Sequence, residues 1–319
     1  VLQSFIFCNF KLMTETLSHW FEVIKNCSVS NTYKMGWSKS IVECCFEDDS
    51  EELIHFDRIS MKMFKYYWNQ TIFFDLQQGS NPNKPPTFVS YVKSKIEEYQ
   101  SQYGFQPKEF ERMEDKVDVD LKYLNRILIE NVSYRFLEVG GKDYDLYELD
   151  KKERTIRVKN PRILKEYSDI LFEVINYRWV QILETYNSSP RISKKIKITD
   201  RGGVKRKPLG KFKKYLQLTD KRCFISGEEF DGDLSIDHLI PWSFMFSDDI
   251  WNLVFVKQKY NSSKSNRIVD ESEIIKLEER NMKLLHRMKE EGMKDKNYSE
   301  LEFSIKNNQL RKFWISFKG

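Results

Sequence analysis

Apolar residues recur at helical spacing through most of the first 190 positions. Thr32 to Phe46 (TYKMGWSKSIVECCF) and Arg58 to Phe74 (RISMKMFKYYWNQTIFF) are long runs rich in aromatic residues and Met, and they predict buried helices. Phe88 to Tyr103 and Leu121 to Leu137 predict two more. Between them, Gln78 to Thr87 (QGSNPNKPPT) breaks the pattern with Gly79 and three prolines. Tyr144 to Val158 holds two short alternating runs, DLYEL and TIRV, around a charged turn, the pattern of a small hairpin. Asn160-Pro161 then opens a helix, with Asn as its cap and Pro at its first position. Leu164, Tyr167, Leu171, Val174, Ile175, Trp179 and Ile182 make its apolar stripe, and it ends near Asn187.

The second part of the chain reads differently. Leu234 to Ile240 (LSIDHLI) predicts a strand that stops at Pro241, which cannot continue a ladder. Trp251 to Val256 (WNLVFV) predicts a second strand, and Lys257 to about Ser265 is polar and compatible with a helix. Glu271 to Lys289 is amphipathic, and a last helix is expected from Tyr298 to about Phe313. The predicted fold is therefore mainly α with small β elements. A helical domain with its hairpin covers 13–190 and would position substrate, dimerise or dock a partner. A basic connector covers 191–214, and 215–319 holds strand, loop, strand and helix, followed by further helices. Residues 1–12 (VLQSFIFCNFKL) lack the basic start and small-residue cleavage site of a signal peptide. They are expected to be a non-native or disordered start, with folded structure beginning near Met13.

Composition narrows the class. A length of 319 residues suits two domains, and no apolar stretch reaches the ~18 to 20 residues of a membrane span. The five cysteines (Cys8, Cys27, Cys44, Cys45 and Cys223) form no Cys-x-x-Cys pair, which fits a reducing, cytoplasmic setting. The net charge of +5 hides an asymmetry. Residues 191–319 carry 28 Lys and Arg against 19 Asp and Glu, whereas residues 1–190 carry 25 against 29. A polyanionic ligand for the basic half explains this. The connector alone holds eleven Lys or Arg and one acid. Lys205, Arg206, Lys207, Lys211, Lys213, Lys214 and Arg267 are the expected nucleic-acid contacts, with the connector a strand-like or loose arm along a phosphate backbone; the same composition also suits a solvated linker. Gly210-Lys211 is no phosphate loop, because Phe212 stands where Ser or Thr is required.

Candidate chemistry sits in the basic half. Asp237-His238 ends an apolar run, and Asn252, Asn261 and Lys264 follow His238 at intervals of 14, 23 and 26. Phosphodiester hydrolysis needs an activated water and neutralisation of phosphoryl charge. A neutral histidine suits the first task. A hard cation, Mg²⁺ or Mn²⁺, suits the second and takes oxygen ligands, here Asp237 and Asn261. The segment offers few carboxylates, so a single metal is expected. Lys264, one turn beyond Asn261, could meet a phosphate.

These five positions and their strand and helix context resemble the HNH (ββα-metal) endonuclease family, with spacing similar to the HNH domain of RNA-guided CRISPR effector nucleases. The resemblance covers about residues 220–268. It implies His238 as general base and Asp237 and Asn261 as metal ligands. Asn252 and Lys264 complete the catalytic set, Asn252 by pinning the loop between the strands. It implies products with a 5′-phosphate and a 3′-hydroxyl. Many HNH domains bind a structural zinc through two Cys-x-x-Cys pairs. Here Ser226 follows Cys223 where a second cysteine would fall, and Tyr260 stands where another would precede Asn261, so no structural zinc is expected. Phe224, Ile236, Trp242, Leu253 and Phe255 are expected to hold the core instead. No other part of a CRISPR effector is evident, so guide-RNA use does not carry over. The expectation is a metal-dependent endonuclease on double-stranded DNA, serving bacterial defence or restriction, as a homodimer or with a regulatory protein. The alternative is a non-catalytic or partner-activated nucleic-acid-binding subunit.

Overall fold

Neither glycine nor proline occurs between Leu2 and Asn26, and one helix, α1 (Leu2–Asn26), spans the whole stretch. Regular structure therefore starts ten or so residues before Met13, where an irregular lead had been expected, because nothing in the sequence interrupts the hydrogen-bond ladder. The computed structural model describes residues 2–48, 53–81, 83–104, 107–187, 189–199, 206–219, 222–229, 234–258 and 269–318, and of residues 2–10 the backbone only. Contacts divide the chain into two units, Val1–Asn187 with Ile192–Val204 and Ser188–Arg191 with Lys205–Gly319. It is mainly α with three small sheets among the described residues.

In the first unit, α2 (Tyr33–Glu47), α3 (Phe56–Phe74), α4 (Thr87–Tyr103) and α7 (Ser168–Tyr186) follow the apolar runs of the sequence. Trp20, Trp37, Trp68, Trp179 and Tyr67 are fully buried among them. Covering one such ring removes about 150–250 Å² from water, on the order of 4–6 kcal/mol at about 25 cal/mol per Å². The polar atoms taken inside are satisfied together: Thr32 Oγ1 donates to Gln78 Oε1 (2.7 Å), and Gln78 Nε2 donates to Gln70 Oε1 (2.7 Å). The Gly79 turn is steric in origin, since a Cβ there would lie 2.9 Å from Pro86 Cγ.

Five details depart from the pattern reading. The helix from Leu121 stops at Asn131 (α5, Leu121–Asn131), because Ser133 gives its carbonyl to the buried Tyr147 hydroxyl. The hairpin β4 (Tyr147–Asp150) and β5 (Thr155–Val158) gains a third strand, β1 (Leu53–His55), on β5. A further two-residue hairpin, β2 (Glu138–Val139) and β3 (Lys142–Asp143), turns on Gly140-Gly141, both at positive φ. The helix after Pro161 is kinked at Tyr167 into α6 (Pro161–Glu166) and α7, though Leu171 N still donates to Tyr167 O (3.0 Å). Asn160 is left-handed and makes no cap bond; its Nδ2 donates to Thr16 Oγ1 (2.9 Å) instead.

The expected loose arm is partly helical. Ile192–Thr199 forms α8, with Ile192, Lys195 and Ile196 buried. The two buried isoleucines, Ile192 and Ile196, lie one turn apart and share a helix face.

In the second unit, a helical turn (Leu209–Phe212) leads into α9 (Lys213–Leu216). Strand β6 (Leu234–His238), the short α10 (Trp242–Met245) and β7 (Leu253–Lys257) follow, with β6 and β7 antiparallel. Helices α11 (Glu271–Glu290), α12 (Lys296–Lys306) and α13 (Gln309–Lys318) pack on them. The single last helix expected from the sequence is broken at Asn307-Asn308, where Asn308 takes φ +51°, a conformation Asn tolerates. Of the five expected core residues, Phe224, Leu253 and Phe255 are buried and Ile236 is partly buried. Trp242 is half-exposed, and it is Trp251 that fills the core (2% exposed).

Candidate active site

Strand β6 pairs with β7 in a register that sets Asp237 opposite Val254 and His238 opposite Leu253. The alternation LSIDH against the continuous apolar run LVFV makes β7 the buried partner and leaves β6 half-covered. Asp237 is half-buried and His238 is buried at the point where β6 ends.

The loop that follows is gripped from several sides. Asn252, with no exposed surface, donates from Nδ2 to Ile240 O (2.9 Å) and accepts at Oδ1 from Ile240 N (2.8 Å). Leu239 N donates to Asn252 O (2.8 Å), and Asn252 N to Asp249 O (2.9 Å). Arg191 donates from Nη1 to Met245 O (2.9 Å) and Ser247 Oγ (2.7 Å). From the helices, Arg280 Nη2 donates to Leu253 O (2.6 Å), Asn281 Nδ2 to Trp251 O (2.8 Å), and Ile250 N to Glu300 Oε1 (3.1 Å). Burial pushes the Glu300 carboxyl above its ordinary value, with the charge of Asp249 adding to the effect.

This loop returns Asp248 to His238, with Oδ1 3.2 Å from Nε2. The hydrogen bond with His238 holds the Asp248 carboxyl below its ordinary range, and the charge of Lys211 and a hydrogen bond from the Trp242 side chain add to it. The Leu209–Phe212 turn packs on β6, so Lys211 belongs to the surroundings of the site. Arg206 lies over the Trp242 ring at 4.8 Å from its centroid, a cation–π contact. Arg206, Lys207, Lys211, Lys213 and Lys214 are all exposed. Lys211 and Lys214 lie over the rings of Phe212 and Tyr215, at 4.8 and 4.7 Å.

Where a zinc-binding knuckle would stand, the turn after Cys223 is closed by its backbone. Gly227 N donates to Cys223 O and Cys223 N to Glu228 O, both at 2.8 Å, and Phe224 N ties the turn to Phe255 O (2.9 Å).

The structure thus gathers Asp237, His238, Asn252 and Lys211 about one loop. Lys205, Asn261, Lys264 and Arg267 lie outside the described residues. Asn252 has both polar atoms on Ile240, so its part is to hold the loop rather than to touch substrate. Among the described residues no three His, Cys, Asp or Glu cluster as a metal site. Sequence reasoning missed Asp248, Arg191 and Arg280. Only Asp248 left a signal, an acid ten residues after His238 in Ser-Asp-Asp.

No curated protein and no solved structure matches this chain. Among the described residues no helix is long and apolar enough to cross a membrane. Residues 224–269, the span that holds β6, the gripped loop and β7, match a family model described as HNH endonuclease. The chain therefore carries a nuclease domain of the HNH family.

Proposed function

We propose that the protein is a metal-dependent endonuclease that cuts double-stranded DNA, with His238 as general base. The observation that carries this is the buried His238 at the end of β6, bonded to Asp248 within the segment that matches the HNH model. A water proton passes to the neutral imidazole. The resulting hydroxide forms a new bond to phosphorus, and the bond to the 3′ oxygen breaks. That oxygen leaves as a 3′-hydroxyl once protonated by solvent, and the 5′-phosphate stays on the other fragment.

Asp237 and Asn261 fit a hard divalent cation, Mg²⁺ or Mn²⁺. They offer a carboxylate and an amide oxygen, and residues 223–269 hold no second histidine and only one cysteine, Cys223. Such a cation, when bound, neutralises charge on the phosphoryl oxygens. Lys264 would meet a phosphate beside it. Arg206, Lys207, Lys211, Lys213 and Lys214, with Lys205 and Arg267, would track the DNA backbone. A role in defence or restriction rests on the family resemblance.

The test is incubation of the full chain with supercoiled plasmid and Mg²⁺ or Mn²⁺, beside His238→Ala and beside EDTA. Cleavage lost in both controls supports the proposal. Salt-sensitive binding by a wild-type chain that cuts neither DNA nor RNA would instead make it a non-catalytic or partner-activated subunit. Cleavage of RNA alone would change the substrate.

A further inference from the structure

We propose that Asp248 is the positioning residue of the site: it fixes the tautomer of His238 so that Nδ1 is the proton-accepting atom. The catalytic meaning of this inference rests on the nuclease reading above, while the orientation is a property of the folded chain that can be measured without any cleavage.

The argument starts from what each atom can do. An ionised carboxylate only accepts hydrogen bonds. Asp248 Oδ1 stands 3.2 Å from His238 Nε2, so the proton of a neutral ring must lie on Nε2. The other nitrogen, Nδ1, then carries the lone pair. The pair is well shielded, with side-chain exposures of 7% for His238 and 21% for Asp248, and a charge-assisted bond gains strength where water is excluded.

Asp248 is itself held in place and held charged. The Trp242 side chain donates to it, and Lys211 lies near enough for its charge to favour the carboxylate. Its neighbour in the chain is anchored too: the Asp249 carboxylate accepts from Ser247 Oγ, and its carbonyl from Asn252 N (2.9 Å). Asp248 reaches the reaction only through His238. One of its supports, Lys211, is itself an exposed basic side chain, and Arg206 rests on the ring of the other, Trp242. Orientation of the base and binding of the phosphate backbone therefore share one set of side chains.

The experiment is ¹⁵N-histidine NMR of the full chain, which has four histidines, with the His238→Ala spectrum supplying the assignment. At a pH where the ring is neutral, wild type is expected to show protonated Nε2 and unprotonated Nδ1. Asp248→Ala removes the acceptor, and Asp248→Asn substitutes an amide that can donate as well as accept. Both are expected to lose the preference. The Asn change preserves size, so the test survives if the Ala variant folds poorly. In plasmid cleavage, kcat is expected to fall on the order of 10²-fold or more with KM unchanged, since a misdirected base fails in the chemical step and not in binding. A wild-type ring protonated on Nδ1, or an unchanged Nε2–H tautomer in both variants, would overturn the proposal. A ring with the expected tautomer in a chain that cuts nothing would uphold the orientation and overturn the nuclease reading alone.

Discussion

Asn252 pairs with the backbone of Ile240 as a second peptide unit would. Its Oδ1 accepts from Ile240 N at 2.8 Å, and its Nδ2 donates to Ile240 O at 2.9 Å. The side chain is wholly buried, so neither group of Ile240 has water to fall back on. The result is a loop closed at its neck, with His238 just before the neck and Asp248 inside the loop. Only an amide offers a donor and an acceptor at this spacing; a carboxylate lacks the donor and an aliphatic side chain lacks both.

Asn252→Ala should therefore destabilise the second unit strongly. Each buried backbone group left without a partner costs about 1–3 kcal/mol. Asn252→Asp should fare no better, because it keeps one acceptor and sets a charge against the Ile240 carbonyl. Urea titration followed by Trp fluorescence is expected to show a lower midpoint for both, with cleavage reduced in step. Midpoints equal to wild type would mean that the neck is held by the neighbouring backbone bonds and that Asn252 is dispensable.

Much of this was legible in the sequence, for local reasons. Pro241 ends a strand wherever it falls, and the alternation in LSIDH gives β6. The interval from His238 to Asn252 drew attention to Asn252, and in the fold its side chain closes the neck on Ile240. Other features depend on contacts that no local pattern records. Trp242 and Trp251 both follow apolar residues, yet one carries Arg206 at the surface and the other fills the core. Asp248 looks like any loop acid until the loop folds back on His238. Arg191 reads as one charge in a basic run, but 54 residues separate it from Met245, whose carbonyl it holds. The break at Tyr167 is likewise unmarked by any glycine or proline, whereas the one at Asn308 falls on a residue type that tolerates its left-handed conformation.

The basic rim makes a graded prediction about binding. Neutralising Lys205, Arg206 and Lys207 together should weaken DNA binding and flatten its dependence on salt. Each lost phosphate contact lowers the slope of log K against log salt by up to ~0.9 for B-DNA. Lys211, Lys213 and Lys214 form a second group on the turn beside β6 and should behave in the same way. Arg206→Lys should recover less than full affinity, because lysine loses the planar stack on Trp242. Fluorescence anisotropy at several salt concentrations measures all of these. A slope unchanged in both triple variants would mean that the rim does not touch DNA.

Asp295 ties stability to pH. It caps α12, accepting at Oδ1 from Asn297 N (2.9 Å) and Tyr298 N (3.2 Å), and it also accepts from the Tyr215 hydroxyl. That hydroxyl is the main reason its carboxyl is held below the ordinary value, and the two amides and the charge of Lys214 contribute as well. The same helix presents Glu300 to Ile250 in the loop between β6 and β7, so the cap bears on the candidate site. A carboxyl depressed in the native state binds its proton more weakly there than in the unfolded chain, where an Asp titrates near ~3.9. Its contribution is thus complete above that value and is lost as pH falls through the lower, native one. Asp295→Ala should cost about 0.5–2 kcal/mol at neutral pH, towards the lower end because the residue is exposed. Asp295→Asn keeps much of the cap and loses the charge. The difference in unfolding midpoint between wild type and Asp295→Asn should narrow as pH is lowered from neutrality through the unfolded Asp value of ~3.9, because the unfolded chain then takes up a proton that the native carboxylate still refuses. A difference that stays the same across that range would show that the carboxylate charge adds nothing to the cap.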